Sequence, residues 1–309
     1  MTTINFQPDF SFVNLNKPAG MTSFDCIRRI RRILAIKKTG HLGTLDPPAT
    51  GVLPVAIGKS TRLIPYLENS GKVYEASVIF GITTATDDTD GEIITSQETA
   101  PFDIEILKKH LESFTGDIMQ TPPAVSAVKI DGRRAYDIAF KGGTPDIKAR
   151  KAFVKSIEIT GYEHPRLYLT LEVGPGTYIR SIARDLGAIL GCGAAVDTLE
   201  RTKDGSFLIE NSVTFEQLEK AVEEKNLQSV MIPAAEVMTD YPVVTAAGTA
   251  YEKVKQGNPV RFDEIPDYRN ENGAGFAFLC DESGNPAALA AIDNENGLFL
   301  MKRVFCNQS

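Results

Sequence analysis

The chain has 309 residues, of which 42% are hydrophobic and 24% charged, with 16 Phe, 9 Tyr and a formal net charge of −7. This mix supports a packed core and excludes wholesale disorder, and the longest apolar run, Ala287 to Ile292, is far short of the roughly 20 residues a membrane span needs. The first twenty residues lack the basic start and apolar stretch of a secretory signal, so a cytoplasmic location without membrane association is expected.

In chain order, Thr22-Ser-Phe-Asp25 has the form of a helix N-cap with an acid three residues on. Cys26, Ile27, Ile30, Ile33 and Leu34 follow at helical spacing, and Arg28, Arg29, Arg31 and Arg32 take the other faces. From Gly40 to Gly58 periodicity disappears into GHLGTLDPPATGVLPVAIG, which predicts a long shaped loop running into a short strand around Val52 to Ile57. Alternation over Lys72 to Gly81 puts Tyr74, Ala76, Val78 and Phe80 on one face of a strand, and Leu167, Leu169, Leu171 and Val173 repeat the pattern. Gly174-Pro-Gly176 turns the chain into a helix carried by Ile179, Ile182, Ala183, Leu186 and Ile189, and Glu216 to Leu227 reads as another helix. No GxGxxG or GxxxxGK[ST] is present, so a mixed α/β (α+β) sheet enzyme is expected instead of a Rossmann or P-loop protein. Residues 241–309 are short alternating runs between turn clusters, the texture of a small β-rich module. The expected division is a domain over 1–232 and a second over 233–309.

Charge is unevenly spread. Residues 1–65 hold nine Lys and Arg against three acids, and residues 127–155 hold eight against three, whereas 81–120 and 210–309 are acidic. Two basic segments can build one surface for a polyanion, although solvated helix faces would look the same. Cys26, Cys192, Cys280 and Cys306 are scattered, and His41, His110 and His164 stand alone, so no metal spacing is visible and no disulfide framework is expected. His110 and His164 read as surface residues.

The densest signal is Gly40 to Gly51, where Asp46 sits in a Gly-, Pro- and Thr-rich loop near His41. Such a loop holds a carboxylate for nucleophilic or acid–base work, and an Asp before Pro also simply caps turns. GHLGTLDPPATGVLPVAIG resembles the catalytic loop of the tRNA pseudouridine synthase B (TruB) family. Four further stretches match in the family's order: Leu15 to Ser23, Lys72-Val-Tyr-Glu75, Thr121 to Lys129 with Gly132 to Tyr136, and Gly176 to Ser181 with Leu199-Glu-Arg-Thr202. The resemblance covers about residues 13 to 205. Leu42, Pro48 and Gly174-Pro175 depart from the commonest family pattern without touching the residues named next.

This resemblance implies a pseudouridine-synthase catalytic domain with a C-terminal PUA-like module, and isomerisation of the T-loop uridine at tRNA position 55 to pseudouridine. It implies that Asp46 is the nucleophile, that Arg180 pairs with it, and that Tyr74 stacks on the flipped base. Tyr178 and Leu199 would line the uracil pocket, His41 would contact RNA and help place the extruded base, and Lys17 and Pro18 would pack beside the site. It further implies no cofactor and no metal, a tRNA T-arm as partner, no obligate protein partner, and a monomer. Residues 121–143 match an RNA-gripping insertion, expected to be mobile until RNA orders it. The arginine stripe of the first helix is expected to meet phosphates. A non-catalytic RNA-binding protein and a guide-RNA-dependent synthase are the alternatives; the complete Asp46, Tyr74 and Arg180 set counts against the first, and the insertion against the second.

The chemistry accounts for these residue types. The reaction breaks the N1–C1′ bond, turns the uracil and joins C5 to C1′, with no redox change. A carboxylate can attack C1′ or C6, or trap the sugar as the bond breaks. An arginine fork suits a planar carboxylate through two parallel hydrogen bonds. A uridine folded into a loop must be flipped out to be reached, and an aromatic ring then replaces its lost stacking.

Overall fold

The computed structural model describes residues 8–306 apart from 68–69, 131, 140, 240, 266–267 and 269–274. β1 (Phe10–Lys17), β2 (Thr39–His41), β3 (Thr50–Gly58) and β4 (Lys72–Phe80) come first, followed by a hairpin of β5 (Ile82–Thr84) and β6 (Ile93–Ser96). β7 (Gly116–Gln120) leads into a second small hairpin, β8 (Lys129–Ile130) and β9 (Arg133–Arg134). The long strands β10 (Arg150–Glu163), β11 (Arg166–Val173) and β12 (Ala194–Asp204) follow, with short β13 (Phe207–Leu208) and β14 (Ile232–Pro233). One mixed sheet runs β14-β1-β3-β12-β4-β11-β10-β7, with β2 on β3 and β13 on β12. Its β3–β12 pair is parallel, and the other neighbours along the path are antiparallel. This is the mixed α/β class that the patterning predicts.

Helix α1 (Ser23–Leu34) begins at the expected capping box: Thr22 accepts from the Asp25 amide, and the Asp25 carboxylate accepts from the Thr22 amide. Cys26, Ile27 and Ile30 are buried in one core with Tyr74, Ala76 and Val78 of β4 and Leu169 and Leu171 of β11. Helix α2 (Ile64–Leu67), α3 (Ile104–Glu112) and α4 (Ala135–Ala139) are short, and α5 (Ile179–Ile189) buries Ile182, Ala183 and Leu186 in the same core. Helix α6 (Phe215–Glu223) stops four residues before the expected Leu227, because the chain enters a left-handed conformation at Lys225 (φ 55°) and a short 3₁₀ turn begins at Leu227.

The arginine stripe is not simply solvent-facing. Arg29 lies over the Phe215 ring at 4.2 Å and bonds Glu219 at 3.1 Å, and Arg31 donates from Nε to Thr39 Oγ1 at 2.8 Å. Both therefore tie α1 to its neighbours, as long amphipathic side chains do.

Beyond α7 (Ala234–Val237), five strands form a second sheet: β15 (Val243–Thr245), β16 (Val260–Arg261), β17 (Phe276–Cys280), β18 (Pro286–Asp293) and β19 (Leu298–Val304). Their order is β15-β17-β18-β19-β16, and α8 (Gly248–Gln256), which the sequence pattern does not announce, packs Ala250 and Val254 into this module's core. Phe12, Leu42 and Phe207 of the first part share an apolar cluster with Phe278, Leu289 and Phe305 of the second. Among the described residues no helix is long and apolar enough to cross a membrane.

Candidate active site

Asp46 sits on the loop between β2 and β3, and neighbouring elements hold that loop from both sides. Ser23, at the start of α1, accepts from the Leu45 amide at 2.9 Å and donates to its carbonyl at 3.1 Å. Lys17, at the end of β1 and fully buried, donates to the carbonyls of Pro18 (3.0 Å), Pro47 (3.0 Å) and Ala49 (2.6 Å). Burial pushes the Lys17 ammonium below its usual pKa, with Asp46 among the charges that oppose the shift. Pro18 itself is exposed and contributes its carbonyl.

Arg180, second residue of α5, is 5% exposed at its side chain and reaches Asp46 Oδ2 from Nη2 at 2.8 Å. The two parallel bonds expected of this pair are not formed. Nη2 also donates to the Val125 carbonyl (3.1 Å), while Nη1 donates to the Thr86 carbonyl (2.6 Å) and lies 3.4 Å from Asp88 Oδ2. The guanidinium is thus spread over two carboxylates and two carbonyls, which leaves one Asp46 oxygen outside the pair. Burial pushes the Asp88 carboxyl up, and the Thr86 hydroxyl and Arg180 oppose this.

A cleft of ≈ 370 Å³ opens over Asp46 and Arg180, with Tyr74, Tyr178, Leu199 and Arg201 in its wall. Tyr74 pairs across the ladder with Arg201 of β12, so both point to the cleft face, and burial raises the Tyr74 phenol above its usual pKa. Tyr178 caps α5, exchanges backbone hydrogen bonds with the Gln120 side chain (2.8 and 3.0 Å), and has Arg150 5.0 Å from its ring centroid. Asp46, Arg180, Tyr74, Tyr178 and Leu199 are therefore brought together.

His41 is not brought with them. It lies on β2 opposite Val55, outside the cleft wall, half-buried, with Nδ1 lacking a hydrogen-bond partner among the described residues. Burial, then the Arg201 charge, pushes its pKa down. His110 is half-buried, and so is His164, which bonds the Thr99 carbonyl (2.7 Å) and the Tyr162 hydroxyl (3.0 Å); neither is the plain surface residue expected.

The insertion is anchored at its start more firmly than its composition suggests. Ser181 and Arg184 donate to the Thr121 carbonyl, Val125 receives Arg180, Ala135 is fully buried, and the Ala135 and Tyr136 amides bond back to Val128 and Ser126. Asp131 and Phe140 lie outside the described residues.

Sequence reasoning passed over Arg201, Asp204, Lys72 and Asp88 as site residues. Strand periodicity offered a signal for one of them, since Arg201 follows Leu199 by two and so shares its face. Among the described residues no group of three or more His, Cys, Asp or Glu side chains is placed to hold a metal ion.

Comparison with known proteins bears on this arrangement. The family model for the TruB family pseudouridylate synthase N-terminal domain matches residues 31–179, and that for the tRNA pseudouridylate synthase B C-terminal domain matches 180–239. The tRNA pseudouridine synthase B of Trichormus variabilis is 42% identical over 255 residues, 82% of this chain and 86% of that protein. The protein of the same name from Ruegeria pomeroyi is 40% identical over 264 residues, covering 85% and 87%. A crystal structure of a Cbf5-Nop10-Gar1 complex matches with a TM-score of 0.73 and 26% identity, over 96% of this chain and 85% of that one. Matched by these two family models from residue 31 to 239, and by such relatives over most of their length, the chain belongs to the TruB family of pseudouridylate synthases.

Proposed function

We propose that this protein is an isomerase that converts uridine to pseudouridine in tRNA, at the T-loop uridine of position 55, with Asp46 as its nucleophile. The observation that carries the reading is the Asp46–Arg180 contact of 2.8 Å at the base of a cleft walled by Tyr74, Tyr178 and Leu199. One Asp46 oxygen is held by the arginine and the carboxylate keeps 36% of its side-chain surface exposed, so a group is free to meet the sugar or the ring. Tyr74 supplies the face on which a flipped uracil stacks, and Leu199 and Tyr178 exclude water from the opened glycosidic bond. The reaction needs no outside reactant: the N1–C1′ bond breaks, the uracil turns, C5 bonds to C1′, the C5 proton leaves to solvent and N1 takes a proton up, so that the composition is unchanged.

In the same proposal His41 meets RNA outside the cleft, Lys17 and Pro18 hold the loop, the catalytic domain spans 1–232, and the PUA-like module spans 233–309. The chain works as a monomer in the cytoplasm, on tRNA, without an obligate protein partner. The insertion supports action without a guide RNA, since its Ala127 contributes to the cleft wall and its Val125 carbonyl holds Arg180.

The test is incubation with an unmodified tRNA transcript and mapping of pseudouridine. Asp46→Asn keeps the size and most hydrogen bonding of the side chain, and should abolish turnover while leaving tRNA affinity within roughly a few-fold. Turnover at even a few per cent of wild type would remove Asp46 from the nucleophile's role.

A further inference from the structure

At the cleft wall, beside Tyr74, lies a buried charge cluster that the proposed reaction does not use. Arg201 is among the largest buried side chains, and each of its three guanidinium nitrogens meets a carbonyl or a carboxylate. Nε donates to the Val52 carbonyl at 2.7 Å, Nη2 donates to the Gly43 carbonyl at 3.1 Å, and Nη1 lies 3.4 Å from Asp204 Oδ2. Lys72 Nζ, 3.1 Å from Asp204 Oδ1, shares the same carboxylate. Tyr74 is the cross-strand partner of Arg201 on β4, and the guanidinium charge opposes the burial that raises the phenol's pKa.

We propose that Arg201 is a positioning residue for the isomerisation, whose single guanidinium sets the places of the Asp46 loop and of the Tyr74 phenol. The inference rests on the functional reading above. Gly43 lies three residues before Asp46, so the Nη2 bond holds the entry to the nucleophile's turn, while Nε holds the strand that leaves it. Arg201 stands opposite Tyr74 on β4 and beside Gly51 on β3, at the junction of three strands. Only a planar fork with fixed donor directions spans these acceptors at once; a lysine offers one compact ammonium. Asp204, paired with both Arg201 and Lys72, supplies the negative charge that this buried fork requires. A buried ion cluster is poor evidence for stability, since well-packed apolar residues commonly match or exceed it. Its place between nucleophile loop and stacking ring accords with a geometric role instead.

The experiment compares Arg201→Lys and Gly43→Ala with wild type in single-turnover pseudouridine formation at saturating tRNA transcript, with tRNA affinity and Tm measured in parallel. Gly43→Ala is the independent wedge, because its new methyl would stand 3.2 Å from Arg201 Nη1 and 3.4 Å from Lys72 Cε. A displaced nucleophile loop should slow the chemical step by roughly 10- to 100-fold while tRNA affinity stays unchanged. A folded Arg201→Lys enzyme with the wild-type rate constant overturns the proposal; if that variant does not fold, Gly43→Ala decides by the same criterion. If wild type itself makes no pseudouridine, the functional reading fails, and Arg201 is judged by hydrogen exchange at the Leu42, Leu45 and Ala49 amides. Faster exchange there in Gly43→Ala sustains the positioning role, and unchanged exchange overturns it.

Discussion

The ammonium of Lys17 closes on the Ala49 carbonyl at 2.6 Å, and with that bond the end of β1 grips the far end of the loop that carries Asp46. Two more carbonyls, those of Pro18 and Pro47, share the same ammonium. Lys17→Met would keep the length of the side chain and strand these acceptors in a buried setting. A loss of roughly 3 kcal/mol in unfolding free energy is expected, with turnover falling further than stability because the Asp46 turn loosens. Chemical denaturation and single-turnover rates check this together; unchanged turnover in a destabilised variant would show the loop holding its shape without Lys17.

His41 gives the fold a pH dependence. Its pKa is pushed down by burial and by the Arg201 charge, so the folded protein prefers the neutral ring. In the unfolded chain the ring takes up its proton near the ordinary value of about 6.5, ahead of the folded state as pH falls. The stability that neutral His41 contributes is therefore complete above that value and is lost on descending through it. Between about pH 7.5 and about pH 5.5 the Tm of wild type should fall more steeply than that of His41→Gln. Parallel slopes would mean that the ring protonates in place at no cost.

Gly51 marks the point where β3 passes closest to β12. Its φ is +95°, and an added Cβ would stand 2.3 Å from the Arg201 carbonyl oxygen, a backbone atom that has no room to move aside. Gly51→Ala should lose roughly 2–4 kcal/mol of stability. A denaturation midpoint equal to wild type would contradict this reading of the junction.

The basic residues divide into two roles. Arg29 is occupied by Phe215 and Glu219, whereas Lys129, Arg133 and Arg134 of the insertion are exposed. Replacing Arg133 and Arg134 with alanine should flatten the log–log salt dependence of tRNA binding by roughly 0.7–0.9 for each phosphate no longer neutralised, with Tm unchanged. Arg29→Ala should do the reverse, lowering Tm and leaving the slope. The opposite pairing of effects would return the α1 stripe to the RNA surface.

Much of this fold is legible in the sequence, for local reasons. The capping box of α1, the alternation in β4 and β11, the periodicity of α5 and the Gly- and Pro-rich Asp46 loop all depend on residues a few positions apart. Hydrophobic spacing and turn chemistry act over that range whatever the rest of the chain does. The charged strands β10 and β12 are harder to see, because Lys, Glu and Thr alternate with few apolar residues, and their pairing partners supply what their own composition lacks.

The positions of the buried charges follow a different physics. That Arg180 divides its fork between Asp46 and Asp88 depends on Thr86, 94 residues away, offering its carbonyl to Nη1. Arg201 finds Val52 across 149 residues. Arg29 and Arg31, a solvent stripe by their spacing, turn inward because α6 and β2 arrive beside them. A desolvated cation is tolerated only where acceptors converge on it, and those acceptors come from segments that meet after the sheet has closed. Near-neighbour pattern thus sufficed for the elements and for the loop bearing Asp46, while the partners that aim its carboxylate exist only once distant strands are packed together.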